Sequence, residues 1–151
     1  MERKNIMNPK LHDVDFYAWT QQQVHLLKSA NWAALDIESL TQEIESMGAS
    51  ERRELINRLA VLLTHLLKWQ YQPSFQGRSW QLTIKEQRRQ LQRLLTDNPS
   101  LQARLSELIA DAYGDAILLA AKETGLEESM FPENCPYAED AILDGEFYPG
   151  C

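Results

Sequence analysis

The chain has few of the residues that build crosslinked or metal-dependent proteins. It contains two cysteines, Cys135 and Cys151, and three histidines, His12, His25 and His65. The spacing of the cysteines matches no zinc pattern and gives no sign of an oxidising compartment. No Glu-x-x-His pair is present, which argues against a di-iron bundle, and a tri-histidine site would require all three imidazoles to meet. We therefore expect no metal ion and no cofactor, in a reduced cytoplasmic protein.

Long apolar runs are also absent. Runs such as LAVLL at residues 59–63 are far shorter than the roughly 20 residues of a membrane-spanning helix. No apolar core follows the basic stretch MERKNIMNPK, so we expect no signal peptide. The isolated glycines Gly48, Gly77, Gly114 and Gly125 form no G-x-x-x-x-G-K-[ST] loop, which excludes that kind of phosphate-binding enzyme. We expect a single domain with its own apolar core, because 44% of the 151 residues are hydrophobic.

Apolar residues recur with the helical period of 3.6 in five segments, and no strand pattern is visible. We predict an all-α bundle of about five helices, which begin near residues 13–15, 36, 51, 79 and 99. Asp13 or Asp15 can cap the first helix, and the main apolar stripe of the third consists of Leu55, Leu59, Leu62, Leu66 and Trp69. Gly48 separates the second helix from the third, although one long kinked helix is the alternative, and Gly125 ends the fifth. We expect residues 1–12 to form a flexible arm and residues 13–151 a single domain. Its proline-rich tail, residues 126–151, is predicted to wrap the bundle through Phe131, Tyr137 and Phe147.

Positive charge is concentrated in one block of the sequence. Nine lysines and arginines lie between Arg52 and Arg93, against two glutamates, so this block carries +7 while the whole chain carries −7. Its candidate basic face consists of Arg78, Lys85, Arg88, Arg89 and Arg93. Such a face could engage phosphates. The alternative is internal pairing with the acidic remainder of the chain.

Aromatic residues interleave with these charges. Trp69, Tyr71, Phe75 and Trp80 flank a turn that contains Pro73. Single-stranded nucleic acid binding requires cations that follow the backbone and exposed rings that stack on bases. Trp69 and Trp80 fall on the apolar stripes of their helices, however, so we expect both indoles to be mostly buried and close together.

Several short segments together resemble one bacterial family. They are DFYAWTQQQ, SLTQEIESMGASERREL, RLAVLLTHLLKWQYQP, the SW, TI and QR pairs of the fourth predicted helix, NPSL, ETGL and FPENCPY. The chain is similar, from about Asp13 to Pro149, to the family catalogued as domain of unknown function 29. This resemblance implies a helical domain of the bacterial cytoplasm and no activity, and it supplies no catalytic residues.

Arg58 and His65 form a second pattern, with six residues between them on one predicted helix. Seven residues are close to two helical turns, so both side chains point the same way. The pair resembles the R-x(4–6)-H signature of the HEPN superfamily, which includes metal-independent ribonucleases. The resemblance implies that the histidine handles a 2′-hydroxyl proton, that the arginine stabilises charge on phosphate, and that the site forms across a homodimer. The alternative is a structural histidine that bonds a carboxylate such as Glu43.

Two classes of function follow from these patterns. The first, which we favour, is a non-catalytic interaction module whose basic face, within residues 52–93, engages another protein or RNA. The second is a metal-independent endoribonuclease with Arg58 and His65 as catalytic residues, which could serve in a toxin–antitoxin pair. Solvent exposure and bonding of His65 distinguish the two, because a nuclease requires an accessible imidazole in a cleft.

Overall fold

The computed structural model describes residues 9–150, and every regular element in that range is helical. The seven α-helices are α1 (Leu11–Val14), α2 (Phe16–Lys28), α3 (Ile37–Tyr71), α4 (Arg78–Asp97), α5 (Pro99–Gln102), α6 (Leu105–Thr124) and α7 (Glu139–Leu143). Short 3₁₀ turns lie at Trp32–Ala34, Pro73–Phe75 and Glu128–Met130. The all-α prediction is confirmed, and the bundle arrangement remains a prediction.

The chain divides into two compact units between Gly48 and Ala49. We call them the first unit and the second unit. Most of the predicted N-terminal arm, as well as Cys151, lies outside the described residues. The last two residues of that arm, Leu11 and His12, belong to helix α1.

The prediction of about five helices is corrected to seven within residues 9–150. The second and third predicted helices are one helix, α3, because Gly48 does not adopt the left-handed conformation that ends a helix. Helix α1 is an additional short helix before the first predicted helix, and α2 begins directly after Asp15, within the predicted range. The fifth is divided at Ala103 and Arg104. Helix α7 is a five-residue helix within the C-terminal segment.

Two carboxylates organise the first unit. Asp15, one of the two residues predicted to cap this helix, accepts a hydrogen bond from the backbone N–H of Ala18 at 3.0 Å. It therefore caps α2. Asp36 accepts from the backbone N–H of Ser39 at 3.2 Å and from the indole N–H of Trp19 at 3.0 Å. Burial alone would raise the pKa of the Asp36 carboxyl, but these hydrogen bonds outweigh burial and leave the pKa below its ordinary value. Asp36 therefore caps α3 and ties it to α2.

The core of the second unit is built around the predicted leucine stripe of α3. Leu55, Leu59, Leu62 and Leu66 are all buried, which confirms the helical period assigned to them. Helices α4, α6 and α7 pack on this stripe with apolar residues of their own. Those residues are Ile84, Leu91, Leu95, Leu105, Leu108, Ile109, Ala112, Tyr113, Ala116, Ala120 and Ile142.

The segment after α6 returns to this core. Gly125 has a φ of 77° and ends α6 in the left-handed conformation, as predicted. Phe131 and Tyr137 are buried, and Phe147 is partly buried against the same core. The Tyr137 hydroxyl donates to the side-chain oxygen of Gln70 at 2.7 Å, so this buried phenol is satisfied.

Candidate basic interaction surface

Three basic residues of the block form ion pairs inside the second unit. The pairs are Arg52 with Asp111 at 3.4 Å, Arg58 with Glu54 at 3.0 Å and Lys68 with Glu123 at 2.7 Å. Such pairs near the surface contribute only about 0–1 kcal/mol each to stability. Internal pairing was the alternative interpretation of the basic block. It accounts for the charges of these three residues but not for those of the other basic residues in the block.

The remaining charge forms a stripe along helix α4. Arg78, Lys85, Arg89 and Arg93, which we call the basic stripe, are exposed. At 100° per residue they lie within an arc of about 80° and extend for about 22 Å along the helix. Among residues 9–150 none of the four forms an ion pair. The basic stripe therefore presents four adjacent cations to solvent.

The local sequence explains why the stripe faces outward. The buried residues of α4 recur at Ile84, Leu91 and Leu95, on the opposite side of the helix from the basic stripe. A shallow cleft of about 420 Å³ lies beside the C-terminal part of the stripe, lined by Arg89, Gln92, Arg93, Thr96 and Asp97. This cleft combines two guanidinium groups with amide and hydroxyl donors, and Asp97 is its single acid.

Arg88 does not belong to the basic face, contrary to the prediction. Its side chain is only 3% exposed because the C-terminal segment covers it. Its Nε donates to the Ile142 carbonyl at 2.8 Å, and one terminal nitrogen donates to the Phe147 carbonyl at 2.7 Å. The guanidinium also lies over the Tyr148 ring, 5.6 Å from its centroid. Arg88 thus fastens the C-terminal segment to α4 instead of meeting a ligand.

The aromatic residues of the block are divided between packing and exposure. Trp69 and Trp80 are each partly buried, with the smaller part of each side chain exposed, in agreement with the prediction that both indoles are mostly buried. The Trp69 ring packs on Tyr148 at a centroid distance of 4.8 Å, and the Lys68 ammonium lies 4.9 Å from the Trp80 ring. Phe75, in the 3₁₀ turn immediately before α4, is 65% exposed. A ring that could stack on a base therefore precedes the basic stripe in the chain.

Arg58 and His65 each have bonding partners close to their own positions. The Arg58 guanidinium donates to Glu54 at 3.0 Å and to the side-chain oxygen of Gln87 at 3.3 Å. The Nδ1–H of His65 donates to the Val61 carbonyl one helical turn earlier, at 2.9 Å, instead of to the expected carboxylate. Burial lowers the pKa of His65. The His65 imidazole is therefore half-buried and carries no charge at neutral pH.

A polar cluster in the first unit was not predicted from the sequence. His12 lies 2.9 Å from Asp13 through Nδ1 and 2.7 Å from Glu43 through Nε2. These hydrogen bonds, first to Asp13 and then to Glu43, raise the pKa of His12. A protonated imidazole can donate both bonds, whereas a neutral one can donate only one. His12 was predicted to lie in a flexible arm, and nothing in the local pattern links it to a residue 31 positions later.

A cleft of about 350 Å³ in the second unit contains the free thiol of Cys135. Its walls include Tyr113, Glu133 and Tyr137. Burial raises the pKa of the Cys135 thiol and also raises the pKa of Tyr113 to about 12. The thiol is therefore protonated at neutral pH, the state in which cysteine is a poor nucleophile.

Two further observations bear on metals and membranes. Within residues 9–150, no group of three or more His, Cys, Asp and Glu side chains lies close enough together to hold a metal ion. No helix in the same range combines the length and the apolar composition required to cross a bilayer.

Comparison with known proteins identifies one family. The family model described as "Domain of unknown function DUF29" matches residues 11–148, which is nearly the whole chain. Comparison with curated proteins and with solved structures gives no match.

Proposed function

Because the chain belongs to the DUF29 family, whose description specifies no activity, we propose a function from the geometry: a non-catalytic interaction module that binds single-stranded RNA through the basic stripe. The observation that supports this proposal is the stripe itself, four exposed cations on one side of α4 without an ion pair among the described residues. As part of the proposal the protein works in the bacterial cytoplasm, the location that the sequence predicts.

The chemistry of the stripe suits a flexible polyanion. Its charges are spaced one to two helical turns apart, so successive side chains can reach successive phosphates of an extended strand. The exposed ring of Phe75 adds a stacking surface of the kind that single-stranded RNA proteins use. An acidic protein segment would use the four charges but would gain less from the ring.

Salt dependence tests the electrostatic part of the proposal. We expect fluorescence anisotropy with labelled single-stranded RNA to show binding that weakens as salt rises. Four phosphate contacts predict a slope of log K against log salt of about −3. The double variant Arg89→Gln/Arg93→Gln should reduce the slope to about half, because two of four contacts are lost.

The matched control is Arg104→Gln, which removes an exposed arginine outside the stripe that pairs with Glu107. It should leave both the affinity and the slope unchanged. Phe75→Ala should weaken binding by roughly tenfold at unchanged slope, because stacking involves no counterion release. Equal losses for Arg104→Gln and for the stripe variant would show non-specific attraction and contradict the proposal. Binding of an acidic peptide without binding of RNA would identify a protein partner instead.

The ribonuclease interpretation of Arg58 and His65 is weaker on this geometry. His65 does not account for this, because a neutral imidazole whose Nδ1–H is bonded to a backbone carbonyl keeps Nε2 available as a general base; Arg58 does. The Arg58 guanidinium is shared between Glu54 and Gln87. Incubating RNA with the protein in EDTA distinguishes the two functions. An interaction module leaves the RNA intact, whereas a nuclease cleaves it and loses that activity in His65→Ala.

A further inference from the structure

The first unit has almost no interior of its own. Among residues 9–48, Trp19 is the only buried hydrophobic side chain. Ten large hydrophobic side chains of this unit are exposed, out of fourteen in the whole described chain. A concentration of this kind in less than a third of the sequence marks an interaction surface, since exposed apolar residues are otherwise scattered singly.

Five of the exposed side chains surround one groove. Phe16, Val24 and Leu27 of α2, together with Ile44 and Met47 of α3, line a groove of about 350 Å³ between these helices. We call these five residues the apolar patch. Hydrogen bonds of Asp36 to Trp19 and Gln23 tie α2 to the start of α3 beside this groove.

The apolar patch offers both a ridge and a groove. Ile44 and Met47 lie about one helical turn apart and are 66% and 67% exposed, so they form a ridge. The groove between α2 and α3 lies beside that ridge and can receive a ridge of the same kind. A two-fold interface requires this combination, because the same surface supplies both the protruding and the receiving side chains.

The exposed area is sufficient for a stable interface. Side chains that bury on the order of 100–250 Å² each, when about half exposed, give the five-residue patch on the order of 500 Å². A standard interface buries about 800 Å² per partner, of which slightly more than half is apolar. The apolar patch therefore supplies the apolar area that one partner in such an interface needs.

Charge does not oppose the pairing of two patches. The chain as a whole carries −7, so two copies repel each other on average. Glu43 is the only ionisable residue that lines the groove, and its carboxylate is bonded to His12 at 2.7 Å. Two apolar patches can therefore meet without bringing unpaired like charges together.

We propose that the apolar patch of one molecule packs against the apolar patch of a second copy and forms a homodimer. Two helix pairs that meet through their apolar faces give a four-helix interface, a common solution for helices with one apolar side. The inference does not depend on the basic stripe, which lies in the second unit.

Sedimentation velocity over a range of protein concentrations tests the proposal. The parent protein should shift from monomer to dimer as concentration rises. Met47→Glu places a charge in the interface and should weaken dimerisation by at least 100-fold while far-UV circular dichroism stays unchanged. The matched control is Met130→Glu, since Met130 is similarly exposed at 55% but lies outside the first unit. This variant should dimerise as the parent does.

A complementary pair of variants tests whether the two patches face each other. Met47→Glu and Met47→Lys should each be monomeric alone, and an equimolar mixture should recover a heterodimer because opposite charges then meet. A parent protein that stays monomeric at high concentration would overturn the proposal. So would a Met47→Glu protein that dimerises like the parent, or a mixture that fails to associate.

Discussion

Replacing Arg88 with methionine removes a buried cation and keeps a side chain of similar length. The parent guanidinium donates to the carbonyls of Ile142 and Phe147, at 2.8 and 2.7 Å. After the substitution both carbonyls lose their donor, and the C-terminal segment loses its attachment to α4. We therefore expect the variant to fold with reduced stability and a loosened segment around α7.

The size of the effect follows from opposing contributions. Hydrogen bonds to a charged group contribute about 1.5–3 kcal/mol each, so the loss of two costs about 3–6 kcal/mol. The second terminal nitrogen of Arg88, Nη1, is buried without a partner among the described residues. Removing that unsatisfied donor returns about 1–3 kcal/mol. The difference between the midpoints of these two ranges predicts that the free energy of unfolding falls by about 2.5 kcal/mol.

Urea unfolding of the parent and of Arg88→Met measures this difference directly. Arg89→Met is the matched control, because Arg89 is the next residue of α4 and is exposed, so its replacement should change stability by less than about 0.5 kcal/mol. Hydrogen exchange should show faster exchange of the amides in residues 139–148 of the Arg88 variant alone. If Arg88→Met is as stable as the parent, the free-energy cost of burying the cation cancels the gain from its hydrogen bonds. The expected loss of stability would then be refuted.

Two further predictions concern backbone geometry and pH. Gly48→Ala should raise the free energy of unfolding by about 0.5–1 kcal/mol, because a methyl group at this helical position meets nothing within 4 Å. Gly125→Ala should lower the free energy of unfolding by about 1 kcal/mol, because alanine is strained at a φ of 77°. Urea titrations measure both changes in the free energy of unfolding. If the two substitutions changed it in the same direction, the backbone conformations assigned to Gly48 and Gly125 would be contradicted. His12 has a raised pKa, so its stabilising bonds to Asp13 and Glu43 are fully present below about pH 6.5 and are lost as pH rises through the raised value. The difference in melting temperature between the parent and His12→Gln should shrink as pH rises, and a constant difference would show that the charge of His12 is irrelevant.

Features that depend on neighbouring residues could be predicted from the sequence. The leucine stripe of α3 was assigned correctly because a helix repeats its buried side at fixed intervals. The cap at Asp15 and the end of α6 at Gly125 were also predicted, because each depends on one residue type at a helix terminus. These features require no knowledge of which helices meet.

Contacts between distant residues could not be predicted in the same way. Arg88 lies one turn after Ile84 on the inner side of its helix, and the carbonyls that receive it lie 54 and 59 residues later. The bond from His12 to Glu43 likewise joins residues 31 positions apart. Backbone carbonyls are present at every residue, so the sequence carries no mark of which ones an arginine will find.

The bonds of Arg88 also set a time at which folding can finish. During synthesis the cationic side chain emerges 54–59 residues before its acceptors at Ile142 and Phe147. At about 5–20 residues per second this interval lasts on the order of 3–12 s. Throughout it the guanidinium lacks the carbonyls that allow its burial, so α4 cannot settle against the rest of the second unit in its final form. Completion of the second unit is therefore coupled to synthesis of the last ten residues of the described chain, and a chain halted before Phe147 leaves an unsatisfied cation at its core.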